Sequence, residues 1–260
     1  MKITIITSCY NRVETIGDAM ASVLAQDYND VEYIVVDGAS TDGSVDKLKE
    51  FATHCQTEDF KKAHPHFIFK WISEADHGMY EAINKGIRMA TGDVIGVLHS
   101  DDWFYDAHTL STVAEEIKRT GCEFLYANGL YVDADHHEKI IRNWIGGSFG
   151  RWKIKMGWLP LHTTCYIRRD TMLRLGLYDE QYKIASDTDL LLRYLYDEKV
   201  TPAYLNKYVV RMRMGGLSTN LRNHKAMWKE DVKIYRAHGF WAIPAKLMKM
   251  AWKIPQFIRR

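Results

Sequence analysis

Hydrophobic and polar positions follow two periods along the first hundred residues. Lys2–Thr7 (KITIIT) and Val31–Asp37 (VEYIVVD) are short, rich in β-branched residues and almost continuously apolar, as strands covered on both faces should be. Between them, Ile16, Ala19, Met20, Val23 and Leu24 recur at helical spacing within Val13–Ala25, which predicts a β-α-β unit. The pattern continues with a helix from Ser44 to about Phe51, a strand around Phe67–Ile72, a helix over Met79–Ala90 and a strand over Val94–His99. Thr91-Gly92-Asp93 places a glycine just past a helix end. Strands alternating with helices predict an α/β fold around a mostly parallel sheet.

Past Asp102 the alternation weakens. Phe124–Val132 and Lys139–Trp144 read as strands joined by a polar turn, His162–Ile167 as another strand, and Asp187–Tyr196 as a helix with Leu191, Leu192 and Leu195 on one side. This predicts a mixed region following the regular one, with no internal repeat or linker.

In open α/β sheets, ligands bind beyond the carboxyl ends of the strands. The residues there are Thr7 to Arg12, Gly38 to Gly43, Ser73 to Gly78, and Ser100-Asp101-Asp102. All are polar, and the last three groups carry acids. Asp101 and Asp102 repel each other at the end of an apolar strand unless a cation lies beside them, and a divalent ion bridging to diphosphate oxygens answers that need. The alternative is that one of them caps a helix starting near Ala107. Asp37 and Asp42, framing a glycine-containing loop, are equally compatible with turn chemistry.

Composition narrows the class. The 260 residues are 47% apolar and 26% charged, which suits a globular chain with a real core. Cys9, Cys55, Cys122 and Cys165 form no Cys-x-x-Cys pair, so neither a disulfide framework nor a zinc site is expected, and a reducing cytoplasm fits. No signal-peptide layout and no span of bilayer length is legible. The net charge of +2 is uneven: from Leu221 to Arg260 ten Lys/Arg face two acids, a local +8 that leaves about −6 on the preceding 220 residues.

Taken in order, Thr7-Ser8-Cys9-Tyr10-Asn11-Arg12, Val35-Val36-Asp37-Gly38-Ala39-Ser40-Thr41-Asp42-Gly43, Asp76-His77-Gly78-Met79-Tyr80-Glu81-Ala82-Ile83-Asn84-Lys85-Gly86, Ala90-Thr91-Gly92-Asp93 and Ser100-Asp101-Asp102 resemble the family 2 glycosyltransferases. His162-Thr163-Thr164 and Ala185-Ser186-Asp187-Thr188-Asp189 resemble the acceptor-side motifs of its bacterial colanic acid, O-antigen and capsule-type enzymes. The resemblance implies a GT-A fold, Rossmann-like, with a nucleotide-sugar-binding half over residues 1–110, an acceptor-side half of the same domain over 111–220, and a basic aromatic helical tail over 221–260. It implies that Thr7, Asn11, Asp37, Asp76, Asp101 and His162 bind the nucleotide-sugar, most readily a UDP-sugar. By the same resemblance Asp102 holds Mn2+ or Mg2+, and Asp187 is the catalytic base of an inverting, non-processive transfer to a glycan or polyprenyl-linked acceptor in surface polysaccharide assembly. For Asp187 the alternative is a helix cap, Asp189 competes for the role of base, and His162 is open to a purely hydrogen-bonding role.

Two departures stand out. Where many members carry a second acid after the strand-two aspartate, this chain has Gly38, and Ser8 replaces a common proline. A nucleotidyltransferase, the competing enzymatic reading, needs a glycine-rich phosphate loop, and Thr7–Arg12 has no glycine. A catalytically silent nucleotide-sugar binder has no need of both Asp102 and Asp187. In the tail, Trp228, Phe240, Trp241, Trp252 and other apolar residues interleave with the basic ones. That mixture predicts either an interfacial helix on an anionic membrane at the inner face of the cell membrane, or a helix packed on the domain, and makes nucleic acid an unexpected partner.

Overall fold

The computed structural model describes residues 1–215 and 224–258, the side chain of Ile258 excepted. Of the basic tail, Leu221, Arg222, Asn223, Arg259 and Arg260 lie outside the described residues. The N-terminal elements are β1 (Ile3–Cys9), α1 (Ile16–Leu24), β2 (Val31–Asp37), α2 (Ser44–Gln56), α3 (Glu58–Ala63), β3 (Ile68–Ser73), α4 (Met79–Met89) and β4 (Val94–Val97). Then follow β5 (Trp103–Phe104), α5 (Thr109–Thr120), β6 (Phe124–Val132), β7 (Ile140–Trp144), α6 (Arg151–Lys155), a 3-10 turn (His162–Thr164), β8 (Tyr166–Arg168), α7 (Arg169–Leu175) and α8 (Ser186–Leu192). A π-helical turn (Arg193–Asp197), β9 (Ala203–Arg213), α9 (His224–Ala237), α10 (Ala242–Ala251) and α11 (Pro255–Ile258) complete the described chain.

The strands form one sheet in the order β3-β2-β1-β4-β8-β6-β9-β5, with β7 on β6. β3, β2, β1 and β4 are parallel, as the alternating pattern predicts. β8 enters antiparallel to both β4 and β6, and β9 runs parallel to β6. The register sets Cys9 opposite Asp37 and Asp37 opposite Ser73, so the carboxyl ends of the first three strands are level. Every side chain of β1 and β2 is buried, because helices cover both faces.

The opposite edge is pinned by a buried carboxylate. Glu32 accepts from Thr4 Oγ1 at 2.6 Å, Thr91 N at 2.7 Å and Lys70 Nζ at 2.6 Å. Burial opposes its ionisation, but Lys70, Thr4 and Thr91 outweigh it and hold the carboxyl down at about 2. Gly92 is fixed here, since a Cβ at this position would lie 2.5 Å from Thr4 Oγ1.

The structure departs from the periodicity in two places. His162–Thr164 is a 3-10 turn, and only Tyr166–Arg168 pairs as a strand, so the predicted strand over His162–Ile167 is half turn. β9, whose apolar residues are broken up by Asn206, Lys207, Arg211 and Arg213, was not anticipated, yet it fills the gap between β6 and β5.

The tail packs on the domain. Ile234, Tyr235, Ala242 and Ala245 join the core beside Leu190, Leu191 and Tyr194. Asp231 is fully buried and bonds Lys246 Nζ, and Lys249 Nζ at 2.8 Å. The other face stays exposed: Ile243, Leu247 and Met250 share one side of α10, with Trp241 (85% exposed) before it and Ile254 after.

Candidate active site

A cavity of about 510 Å³ opens at the level carboxyl edge, lined by Asn11, Asp76, His99, Asp101, Asp102, His162 and Asp187 among others. Its size suits a nucleotide-sugar-sized ligand.

The loops after β1 and β2 form one interlocked wall. Asn11, at a left-handed φ of 51°, accepts from Thr41 N at its side-chain Oδ1 (2.9 Å) while its backbone N–H donates to Ser40 Oγ at 2.8 Å. Beneath them Asp37 accepts from Ser40 N at 2.9 Å, Ser40 Oγ at 2.5 Å and Ser73 Oγ at 2.7 Å. Thr7 Oγ1 donates to Leu98 O at 2.7 Å and accepts from Tyr33 OH at 3.2 Å. Thr7 and Asp37 are thus fully buried and do not line the cavity; the structure places them under the wall. Asn11, Asp76, Asp101 and His162 line it directly.

Gly38 has a spatial reason. A Cβ there would meet Asp76 Oδ2 at 2.6 Å, so the carboxylate of Asp76 occupies the room a side chain at 38 would need. Asp76 Oδ1 is fixed by Gly78 N at 2.9 Å. An acid absent from one loop is supplied by the next.

Asp102 is 2% exposed. Its Oδ1 accepts from Arg213 N at 3.1 Å, delivered by β9, whereas Oδ2 is buried without a hydrogen-bond partner. Burial and the neighbouring Asp101 push its carboxyl well above the usual range, which the Arg213 contact only partly offsets. Neither acid caps α5: Asp106 Oδ1 serves that turn, accepting from His108 N at 2.9 Å. Among the described residues no three His, Cys, Asp or Glu side chains gather to cage a metal. The donor set instead fits a hard divalent cation held by one or two carboxylates and completed by substrate phosphates, and the unpartnered Oδ2 is the oxygen available for it.

Asp187, in the first turn of α8, faces the same cavity. His162 Nδ1 lies 3.3 Å from Oδ2, and Tyr80 OH reaches Oδ1 at 3.3 Å. Burial disfavours its charge, but His162, Lys249 and the Thr188 amide outweigh burial and hold the carboxyl well below the usual range. It is ionised at neutral pH. His162 Nε2 meets His99 Nε2 at 3.0 Å, and burial together with His162 pushes His99 down to about 3, so His99 is neutral. Asp189 turns away, held by Arg193 at 3.2 Å and His238 at 3.0 Å. That leaves Asp187 as the acid of this helix in the cavity, and its position is not a cap, since Ala185 precedes the helix as its N-cap residue.

His99, Tyr80, Arg142, Lys249 and Lys253 also line the cavity and escaped sequence reasoning. His99, two residues before Asp101 at a strand end, was within reach of the strand-exit rule; the cations from β7, α10 and the turn after it carried no such signal.

A curled, mostly parallel sheet with an acid-lined cavity at its carboxyl edge is the architecture of a GT-A sugar-transferring enzyme. The profile of glycosyl transferase family 2 matches residues 4–181, and the chain belongs to that family. It is 27% identical over 221 residues to a PGL/p-HBAD biosynthesis glycosyltransferase of Mycobacterium bovis, covering 84% of this chain and 79% of that protein. An uncharacterized glycosyltransferase of Mycobacterium tuberculosis is 29% identical over 195 residues, 74% of this chain and 68% of its own. The fold superposes on Staphylococcus aureus TarS 1-349 in complex with UDP-GlcNAc with a TM-score of 0.67 at 16% identity, covering 97% of this chain and 71% of that one. Against a Pyrobaculum calidifontis mannosyltransferase in complex with GDP-Man and Mn2+ the TM-score is 0.60 at 16% identity, over 99% and 73%. The chain spans 39% of the longer TarS chain. No described helix is long and apolar enough to cross a membrane.

Proposed function

We propose that this glycosyltransferase moves a single sugar from a nucleotide-sugar, a UDP-sugar foremost, to a hydroxyl of a lipid-linked or growing glycan, with inversion at the anomeric carbon. One observation carries the reading: one cavity holds a buried, unpartnered carboxylate oxygen on Asp102 and an ionised, oriented carboxylate on Asp187.

Asn11 and Asp76 bound the nucleoside end, Asp101 the ribose, and Thr7 and Asp37 act from beneath by fixing the loops. Mn2+ or Mg2+ on Asp102, when bound, neutralises the charge gained by the leaving diphosphate, which stabilises the transition state over the ground state. Asp187 accepts the proton of the acceptor hydroxyl as that oxygen bonds to the anomeric carbon and the diphosphate leaves with the electron pair. His162 keeps Asp187 ionised and aimed, a positioning role through its 3.3 Å contact. The exposed apolar side of α10, among basic neighbours, suits an anionic membrane surface at the inner face of the cell membrane, where a polyprenyl-linked acceptor resides.

The test is release of nucleoside diphosphate from a panel of UDP-, GDP- and dTDP-sugars with Mn2+, with and without a cell-envelope lipid extract. Release from one donor class supports the reading, and none from any donor refutes it.

A further inference from the structure

The cavity has a basic wall that acid-centred sugar transfer leaves unused. Arg142 on β7 lines it, is 7% exposed, and its Nη2 is buried without a hydrogen-bond partner. Nε donates to Gln256 Oε1 at 2.5 Å, and the guanidinium stands 4.4 Å from the Trp144 ring and 4.9 Å from the Tyr131 ring. The group is therefore held rigidly while part of its donor fork goes unused. Lys249 and Lys253, one turn apart, line the same cavity. Lys249 bonds Thr188 Oγ1 at 2.7 Å and shares the single buried carboxylate of Asp231 with Lys246. Among the described residues Lys253 has no carboxylate at ion-pair distance.

Position assigns this wall to the acceptor side. In register, Tyr131 on β6 stands between Arg142 on β7 and Met212 on β9, the residue before the Arg213 that holds Asp102. Two strand spacings, roughly 9.5 Å, thus separate Arg142 from the strand at the metal acid. Lys249 instead bonds Thr188, the residue after Asp187. A side chamber of about 50 Å³, reaching Trp252 and Gln256, shares Asp187, Lys249 and Lys253 with the main cavity. Trp252 belongs to the same segment as the exposed Met250 and Ile254.

We infer that Arg142, Lys249 and Lys253 form a second anion subsite, which holds the phosphate or diphosphate of a lipid-linked acceptor while its hydroxyl faces Asp187. The inference rests on the sugar-transfer reading of this cavity. At Lys253 the cations repel one another: burial and the neighbouring Lys249, Arg142 and Lys246 bring it down to about 7, with Asp231 acting the other way. A bound phosphate relieves that repulsion through charge-assisted hydrogen bonds.

The test uses the full chain and calorimetric titration with farnesyl diphosphate, farnesol and inorganic pyrophosphate, in EDTA and again with UDP and Mg2+ at saturation. Farnesyl diphosphate should bind in both conditions, pyrophosphate should compete with it, and farnesol should bind at least tenfold more weakly. Arg142→Gln and Lys253→Met should each weaken farnesyl diphosphate at least tenfold while keeping the wild-type circular dichroism spectrum and binding UDP–Mg2+ unchanged. Displacement of farnesyl diphosphate by UDP–Mg2+ together with its loss in Asp102→Asn would assign the cations to the donor and overturn the inference. So would equal binding of farnesol, or indifference to Lys253→Met. If no nucleotide binds but farnesyl diphosphate still depends on Arg142 and Lys253, the proposed function fails and the subsite stands.

Discussion

Replacing Asp102 by Asn should make the metal-free protein more stable and the liganded protein less so. The buried Oδ2 has no partner and lies beside the charge of Asp101, whereas Oδ1 takes the Arg213 amide that an Asn oxygen can equally accept. A buried unsatisfied polar group costs about 1–3 kcal/mol and a charged one more; Asn leaves a neutral Nδ2 unsatisfied where Oδ2 stood, so the gain is the charge part alone, about 1 kcal/mol. For a chain of this size that is a melting-temperature rise of roughly 2–4 °C per kcal/mol. Scanning calorimetry in EDTA should show the increase. With Mn2+ and UDP at about a hundred times their dissociation constant, wild type should gain about 2.7 kcal/mol through binding to the native state, and Asp102→Asn should gain almost nothing. A variant that melts below wild type in EDTA, or gains equally from Mn2+ and UDP, refutes the assignment of the orphan oxygen to a cation.

Asp187→Asn should lower the transfer rate by about 10²–10⁴-fold, the usual worth of a general base, with donor affinity kept in equilibrium binding; Asp189→Asn should instead lower stability. Gly38→Ala places a methyl 2.6 Å from Asp76 Oδ2 and should weaken nucleotide binding, read by titration with UDP, with little change in melting temperature. Lys253, lowered to about 7 by burial and by Lys249, Arg142 and Lys246, with Asp231 opposing, is charged below that pH and neutral above it. Farnesyl diphosphate affinity should therefore fall between pH 6 and 8.5, and Lys253→Met should flatten the profile. Trp241→Ser with Leu247→Ser and Ile254→Ser should reduce sedimentation with anionic liposomes at low salt. Truncation at Gly239 should instead lower the melting temperature, because it removes Lys246 and Lys249 from the buried Asp231.

The parallel half of the sheet was legible because both faces of β1 and β2 are covered, so most of their residues are apolar and many are β-branched. β9 was illegible for the opposite reason: the exposed Asn206 and Lys207 and the half-buried Arg211 and Arg213 interrupt its apolar residues, so neither period is clear. The strand-exit rule located Asn11, Asp76, Asp101 and Asp102, since topology alone puts them at one edge. It could not say that Thr7 and Asp37 lie beneath that edge, because depth below a loop depends on hydrogen bonds such as Ser40 to Asp37, formed only once the loops fold. Which of Asp187 and Asp189 faces the cavity was likewise tertiary: His238 and Arg193 hold Asp189, and His162 meets Asp187. For the tail, the packed-helix reading describes the inward face of α10 with Ala242 and Ala245, and the outward Leu247 and Met250 are what the membrane proposal rests on.

The central claim is that one cavity binds a metal–nucleotide-sugar pair beside Asp187. A crystal grown with Mn2+ and a non-hydrolysable UDP-sugar tests it directly through manganese anomalous scattering. The account predicts a manganese peak on Asp102 Oδ2, diphosphate oxygens completing its coordination, and the donor's anomeric carbon facing Asp187. Nucleotide bound elsewhere, or manganese bound without Asp102, would contradict it.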